Sequence, residues 1–315
     1  MRTLLIMVAI LFASAVSSAG VGGKAGAFAR MGFGARGMGM GNAMTAVTSG
    51  EVFGYYNPAV IPLSQTKTIS ASFGILTLDR KMNFLGYSQP VSPSAGLSVG
   101  LINSGVSEID GRDSDGEQTG ALRTSENQVY LSFANRFKAG ISLGLSFKLY
   151  YHHLYTDVST TTVGIDAGLL IPIADNLTIG ATLRDLNSQY KWDTSELYGQ
   201  SGNTTIDKFP VLYTLGATYM LPDSIGLVAL DIEASNQSTA IGRIGVEAPI
   251  VPELTLRAGI DRVDFREKGN GVRPTFGFTV ARAFDESWTP ALSYAYVIEP
   301  FTTSALHMIS LSVRL

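Results

Sequence analysis

Four groupings of side chains in this sequence have the composition for chemistry or for holding charge. Gly32, Gly34 and Gly37 satisfy G-x-G-x-x-G, a spacing that cradles a pyrophosphate when it joins a strand to a helix within a βαβ unit. No strand pattern precedes these glycines and no such unit surrounds them, so a nucleotide site is not expected. His152 and His153 are adjacent; on a strand their side chains leave opposite faces and cannot share a metal. Asp110, Asp113, Asp115 and Glu117 offer the oxygen donors calcium takes, but not at the EF-hand spacing, and a solvated acidic loop is the expected reading. The remaining histidine, His307, is alone, no G-x-S-x-G elbow is present, and there is no cysteine. No catalytic residue, metal ligand or cofactor is therefore expected. The fourth grouping is ionic: Asp231 and Glu233, then Arg243 and Glu247, then Arg257 and Asp261. It reads as one network across three consecutive strands, and carboxylates paired with arginines are structural before they are catalytic.

The elements that must carry these residues alternate apolar and polar from about Lys67 to Leu315. Such segments fall near 67–76, 82–90, 94–106, 126–138, 140–155, 159–173, 176–187, 210–221, 224–235, 239–251, 253–264, 273–285, 287–298 and 304–315. That is about fourteen, and an even number closes an antiparallel bacterial barrel. Short turns are expected at Pro90-Val91-Ser92-Pro93, Lys138-Ala139, Ala174-Asp175, Pro222-Asp223, Val251-Pro252 and Asp285-Glu286. Longer polar loops at 107–125, 188–209 and 265–272 fall between them. The alternation puts short turns and both termini on the periplasmic side and long loops outside.

The two faces differ as a barrel in lipid requires. Ile141, Leu143, Leu145, Phe147 and Leu149 oppose Ser142, Gly144, Ser146 and Lys148. Leu177, Ile179, Ala181 and Leu183 oppose Thr178, Gly180, Thr182 and Arg184. A charge on the lipid face near the midplane costs roughly 2–4 kcal/mol, so the charged set is assigned to the lumen. Tyr150, Tyr151, Tyr155, Tyr294, Tyr296 and Phe301 suit an aromatic girdle. Hydrophobic content of 45% with only 16% charged residues fits this class, and a net charge of −3 argues against nucleic acid. Residues 1–19 read as a signal peptide: Arg2, an apolar run from Leu4 to Val16, then Ser17-Ser18-Ala19 before Gly20. The remaining divisions are 20–62 and a barrel over 63–315, placed in a bacterial outer membrane with its lipid as partner.

Residues 26–62 do not alternate. A barrel of fourteen strands leaves a lumen too wide for side chains alone to fill. A small-residue segment could pack inside it, glycine allowing close approach to the wall, with Asn57-Pro58 ending the plug and turning the chain into the first strand. Gly34-Ala35-Arg36-Gly37-Met38-Gly39-Met40-Gly41-Asn42-Ala43 and Tyr56-Asn57-Pro58-Ala59 resemble the N-terminal signature of the FadL superfamily. Leu78-Asp79-Arg80-Lys81-Met82-Asn83-Phe84-Leu85-Gly86-Tyr87 looks like the PorV/PorQ branch. The resemblance implies a fourteen-stranded barrel with an N-terminal hatch that passes long-chain fatty acids or other hydrophobic molecules. For the PorV/PorQ branch it implies help in releasing and attaching type IX secretion cargo. The chain lacks the long apolar outer loop of FadL itself. On this reading Phe28, Met31, Phe33, Met38, Met40 and Met44 are the candidate ligand contacts, and Gly34, Gly37, Gly39, Gly41, Asn57 and Pro58 shape the hatch. A hydrophobic small molecule, or a secretion-system or surface-protein partner acting on the loops 107–125 and 188–209, is the partner expected.

Overall fold

A computed structural model describes residues 23–266, 271–284, 288–299 and 304–315. The expected signal peptide, the Asp285-Glu286 turn and Phe301 lie outside the described residues. Sixteen strands are present among those residues. They are β1 (Thr68–Ile75), β2 (Lys81–Val91), β3 (Ala95–Arg112), β4 (Gln118–Arg136), β5 (Ser142–Tyr155), β6 (Val158–Ala174), β7 (Leu177–Leu186) and β8 (Gln189–Asp193). The others are β9 (Thr204–Lys208), β10 (Leu212–Met220), β11 (Leu227–Ser235), β12 (Ala240–Val251), β13 (Leu254–Asp264), β14 (Pro274–Ala281), β15 (Thr289–Val297) and β16 (Leu306–Arg314). All but β8 and β9 form one closed antiparallel barrel of fourteen strands, each paired with its neighbour in the chain except that β7 pairs with β10. Closure joins β1 to β16 from Thr68↔Arg314 to Ile75↔His307, and Lys67 and Leu315 exchange backbone hydrogen bonds of 3.0 and 2.8 Å. No sheet edge is left unpaired in the barrel.

The barrel forms because the period-2 alternation has two unlike faces to satisfy. On β5 the outward Leu143, Leu145, Phe147 and Leu149 are about half exposed, while Ser142, Ser146 and Lys148 are buried against the interior. The same holds on β16, where Leu311 is 63% exposed and Ser310 2%. An apolar girdle this extensive has no place in water.

Four sequence expectations need correction. The stretch 107–125 is mainly strand: β3 and β4 run on as a hairpin to a turn at 113–117, with a bulge where Ser107 and Glu108 oppose Arg123 alone. The stretch 188–209 is not a free loop. It folds as the hairpin β8–β9 around a short helix, α2 (Ser195–Tyr198), and lies against the inner wall: the Gln189 and Lys191 amides donate to Thr162 and Thr160 of β6. Asn57-Pro58 does not turn the chain into β1 but opens a 3₁₀ helix, Pro58–Leu63, that stays among the inner faces of β2–β6. Tyr150 does not join the girdle. It faces inward, fully buried, with its hydroxyl 2.5 Å from Asp185.

Candidate functional site

The lumen is where this fold brings buried side chains together. The segment from Lys24 to Ser64 touches the inner face of nearly every barrel strand. It contains a 3₁₀ turn (Ala27–Arg30), a short helix α1 (Gly34–Gly39) and the 3₁₀ helix 58–63. Three of the six residues of α1 are glycine, each costing about 1 kcal/mol in a free helix, so the wall must hold it. It does: the Ala35 amide donates to Ser310 Oγ at 2.8 Å, and Thr275 Oγ1 donates to the Gly39 carbonyl at 3.1 Å. Gly41, just past the helix, adopts φ 60°. A side chain there would also strike the Ile260 carbonyl at 2.7 Å.

The wall answers with glycines of its own. A Cβ on Gly245 would lie 2.3 Å from the Met40 carbonyl oxygen, one on Gly180 2.5 Å from that of Thr45, and one on Gly144 2.6 Å from the Pro58 carbonyl carbon. Segment and barrel therefore meet backbone to backbone. Gly37 has a different reason: a Cβ there would overlap the Tyr56 hydroxyl. That hydroxyl accepts from the Phe33 amide at 2.9 Å and donates to Asn42 Oδ1 at 2.7 Å. Burial pushes the Tyr56 phenol well above its ordinary pKa, so it stays protonated and able to donate. Asn57 caps its 3₁₀ helix at the Ala59 amide and donates to the Thr45 and Leu169 carbonyls at 2.8 and 3.2 Å.

The charged residues divide into groups rather than the single network expected. Arg36 of α1 forms a two-pronged pair with Glu247, both contacts at 2.8 Å, and donates to the Ser49 and Glu51 carbonyls; Arg257 reaches the same Glu247 at 2.6 Å. Burial opposes the Arg36 charge, but Glu247 outweighs it and the guanidinium is held above its ordinary pKa. A second chain runs Arg184–Glu233–Arg243–Asp261–Arg273, continuing to Glu299. Asp231 belongs to neither. It accepts the Met44 and Thr45 amides and the Thr45 hydroxyl at 3.1, 3.1 and 2.7 Å, so it holds the segment rather than a cation. A third group, absent from the sequence reading, places Lys148 at 2.6 Å from Asp166 and 3.0 Å from Asp185. Strict alternation would send Asp185 outward, since Arg184 faces in. A bulge in β7, with φ 61° at Asp185, turns both inward.

The six apolar candidates do not form one surface. Phe28, Phe33 and Met38 are buried in a cluster with Phe53, Tyr55, Phe84, Ile102 and Tyr130, with Met31 packed on its edge; Met40 and Met44 pack separately, against Leu227 and Ala229. Phe33 sits at the centre of the first cluster, 4.9 Å from Phe84 and 5.3 Å from Phe53 between ring centroids. Among the described residues the buried Gln128 amide on this side has no hydrogen-bond partner, and the Tyr130 hydroxyl is buried beside Ser98. Above it, Tyr190 of the inserted hairpin stacks edge-on with Phe209 and His152, and Phe209 with Tyr150. His152 thus faces the interior beside Glu126, and His153 faces out. In the β3–β4 turn, Asp113 accepts its own loop's amides and Asp110 pairs with Arg112. Among the described residues no group of three His, Asp or Glu side chains is placed to hold a metal.

No family model matches this sequence, and no curated protein matches it. Solved structures do match in fold. The CymD monoaromatic hydrocarbon channel aligns over 90% of this chain and 97% of its own, with a TM-score of 0.62 at 14% identity. The Pseudomonas putida toluene transporter TodX gives 0.61 at 14% identity, covering 90% and 96%. A Pseudomonas aeruginosa FadL homologue gives 0.59 at 10%, covering 90% and 99%. The barrel has a FadL-like fold, and the two neighbours named for an activity are a transporter and a channel rather than enzymes.

Proposed function

We propose that the chain is an outer-membrane barrel, with both termini periplasmic, that passes a hydrophobic or amphipathic small molecule through its lumen when the N-terminal segment shifts. One observation carries this reading: the segment is tied to one wall by buried carboxylates and packed on the other mainly through apolar rings. Toward β11–β14 it is tied by Asp231, Glu247, Asp261 and Thr275. Toward β2–β5 its rings lie on Phe84, Ile102 and Tyr130, and a neutral polar tie there is the Gly54 amide to Ser98 Oγ at 3.2 Å. Apolar contacts are non-directional and can be remade by an apolar solute, while hydrogen-bonded charges cannot. The route therefore follows the aromatic seam, with Phe28, Met31, Phe33 and Met38 as its contacts and the Gln128 amide, unpaired among the described residues, available to a ligand's polar group. The FadL-like fold shared with hydrocarbon transporters supports the same reading. Vesicles containing the purified barrel should take up a monoaromatic hydrocarbon or a fatty acid faster than protein-free vesicles. Equal rates for both solutes would end the proposal.

A second reading, a PorV-type accessory to protein secretion or surface attachment, draws on the exposed β3–β4 hairpin beyond its bulge and on the 78–87 motif. Removing 107–125 would then abolish co-purification of a secreted or surface partner while leaving uptake intact.

A further inference from the structure

On its outer wall the barrel carries a feature that conduction does not use. Across β2–β5, three outward rows follow one another in register. The lowest is apolar: Leu85↔Leu101↔Val129↔Leu149. The next is amide: Asn83↔Asn103↔Asn127, ending at Tyr151. Asn83 Nδ2 donates to Asn103 Oδ1 at 3.2 Å, and Asn103 Nδ2 donates to Asn127 Oδ1 at 2.7 Å. The third is Lys81↔Gly105↔Ser125↔His153, where two small residues between a lysine and an imidazole leave a hollow. Beyond it the bulge at Ser107 and Glu108 brings Arg123 to the same hollow, a groove of about 400 Å³. The groove lining contains no carboxylate. Lys81 and Arg123 are exposed and make neither an ion pair nor a side-chain hydrogen bond among the described residues.

A chain of asparagines on the lipid side of a barrel is costly against hydrocarbon. It fits the level where acyl chains give way to head groups. We propose that this groove binds a phosphate-bearing, net-negative membrane lipid: Lys81 and Arg123 take the phosphate, the free ends of the asparagine ladder take the ester or hydroxyl groups, and the acyl chains lie on the leucine and valine row below. The order apolar, amide, cationic is the order in which such a lipid presents its parts. Lys81 and Asn83 belong to the 78–87 motif, to which conduction assigns no role. The inference rests on the membrane placement proposed above.

The test uses the full barrel in non-ionic detergent, with lipid retention read by native mass spectrometry. Phosphatidylglycerol should be retained at least about tenfold better than phosphatidylcholine, as expected for two basic side chains at a head group. The variant K81Q/R123Q should lose that preference without a change in lipid-free thermal midpoint, because both side chains are exposed and unpaired. High salt should weaken the preference in the unaltered protein. An undiminished preference in K81Q/R123Q would overturn the proposal. So would full competition by soluble glycerol phosphate, which would make this a free-anion site, or a second protein chain occupying the groove in place of lipid. Solubility without detergent would instead sink the membrane placement itself, so the two failures are distinct.

Discussion

Against β11–β14 the N-terminal segment is gripped by carboxylates, whereas against β2–β5 its rings meet Phe84, Ile102 and Tyr130 and its 3₁₀ helix 58–63 packs on the wall. Arg36, Asn42, Met44 and Thr45 all find acids on the first wall. Phe33, packed with Phe53 of its own segment, finds Phe84 and Tyr130 on the second. The difference teaches how one packed lumen can be both firm and yielding. A buried charge pair has one acceptable geometry and is costly to break, while an aromatic cluster tolerates rearrangement at modest cost.

The contrast is most directly broken at Arg36. Arg36→Ala leaves Glu247 short of a partner and the Ser49 and Glu51 carbonyls unsatisfied, a loss of about 3–5 kcal/mol by the measure of one-sided removal from a buried pair. The segment should become cleavable by protease in the folded barrel and uptake should rise; continued protection would show that the ionic wall is not the anchor. Glycine substitutions sharpen the comparison. Gly245→Ala presses a methyl group on the Met40 carbonyl oxygen at 2.3 Å and should cost about 1–3 kcal/mol, read as a lower thermal midpoint. Gly86→Ala meets only the Phe33 and Phe53 rings at 3.0 Å, which can swing, and should cost less than half as much. Equal costs would erase the distinction between the walls. Asn57→Ala removes a cap and strands the Thr45 carbonyl, for about 1–2 kcal/mol, detectable as faster amide exchange over 58–63. Phe33→Leu nearly conserves volume and should shift stability by about 1 kcal/mol or less, yet change the ratio of aromatic to aliphatic solute uptake. An unchanged ratio would move the route away from this seam.

Much of the barrel is legible in the residues because alternation is a local signal with a global cause. Leu143, Leu145 and Phe147 must meet lipid, so Ser142, Ser146 and Lys148 must face the interior. The interior is harder to read. Asp185 breaks the alternation through a bulge, and nothing in Leu183-Arg184-Asp185-Leu186 announces it. The hairpin β8–β9 has the polarity of an outer loop, and only the cluster Tyr190, Trp192 and Phe209 hints that it has a surface to bury. Arg36 gave a usable signal: a lone arginine within a run of glycine and methionine must be neutralised by something distant in sequence. Which carboxylate does so is decided by the register of β12, and that is a property of the closed barrel.

The seam between β1 and β16 also bears on how the molecule is made. Thr68 pairs with Arg314, so the cylinder cannot be sealed until the two ends of the barrel sequence have met. The glycine and methionine segment touches the inner faces of nearly every strand, and threading it into a sealed cylinder would disturb them. A sheet that closes around a guest already seated avoids that disturbance.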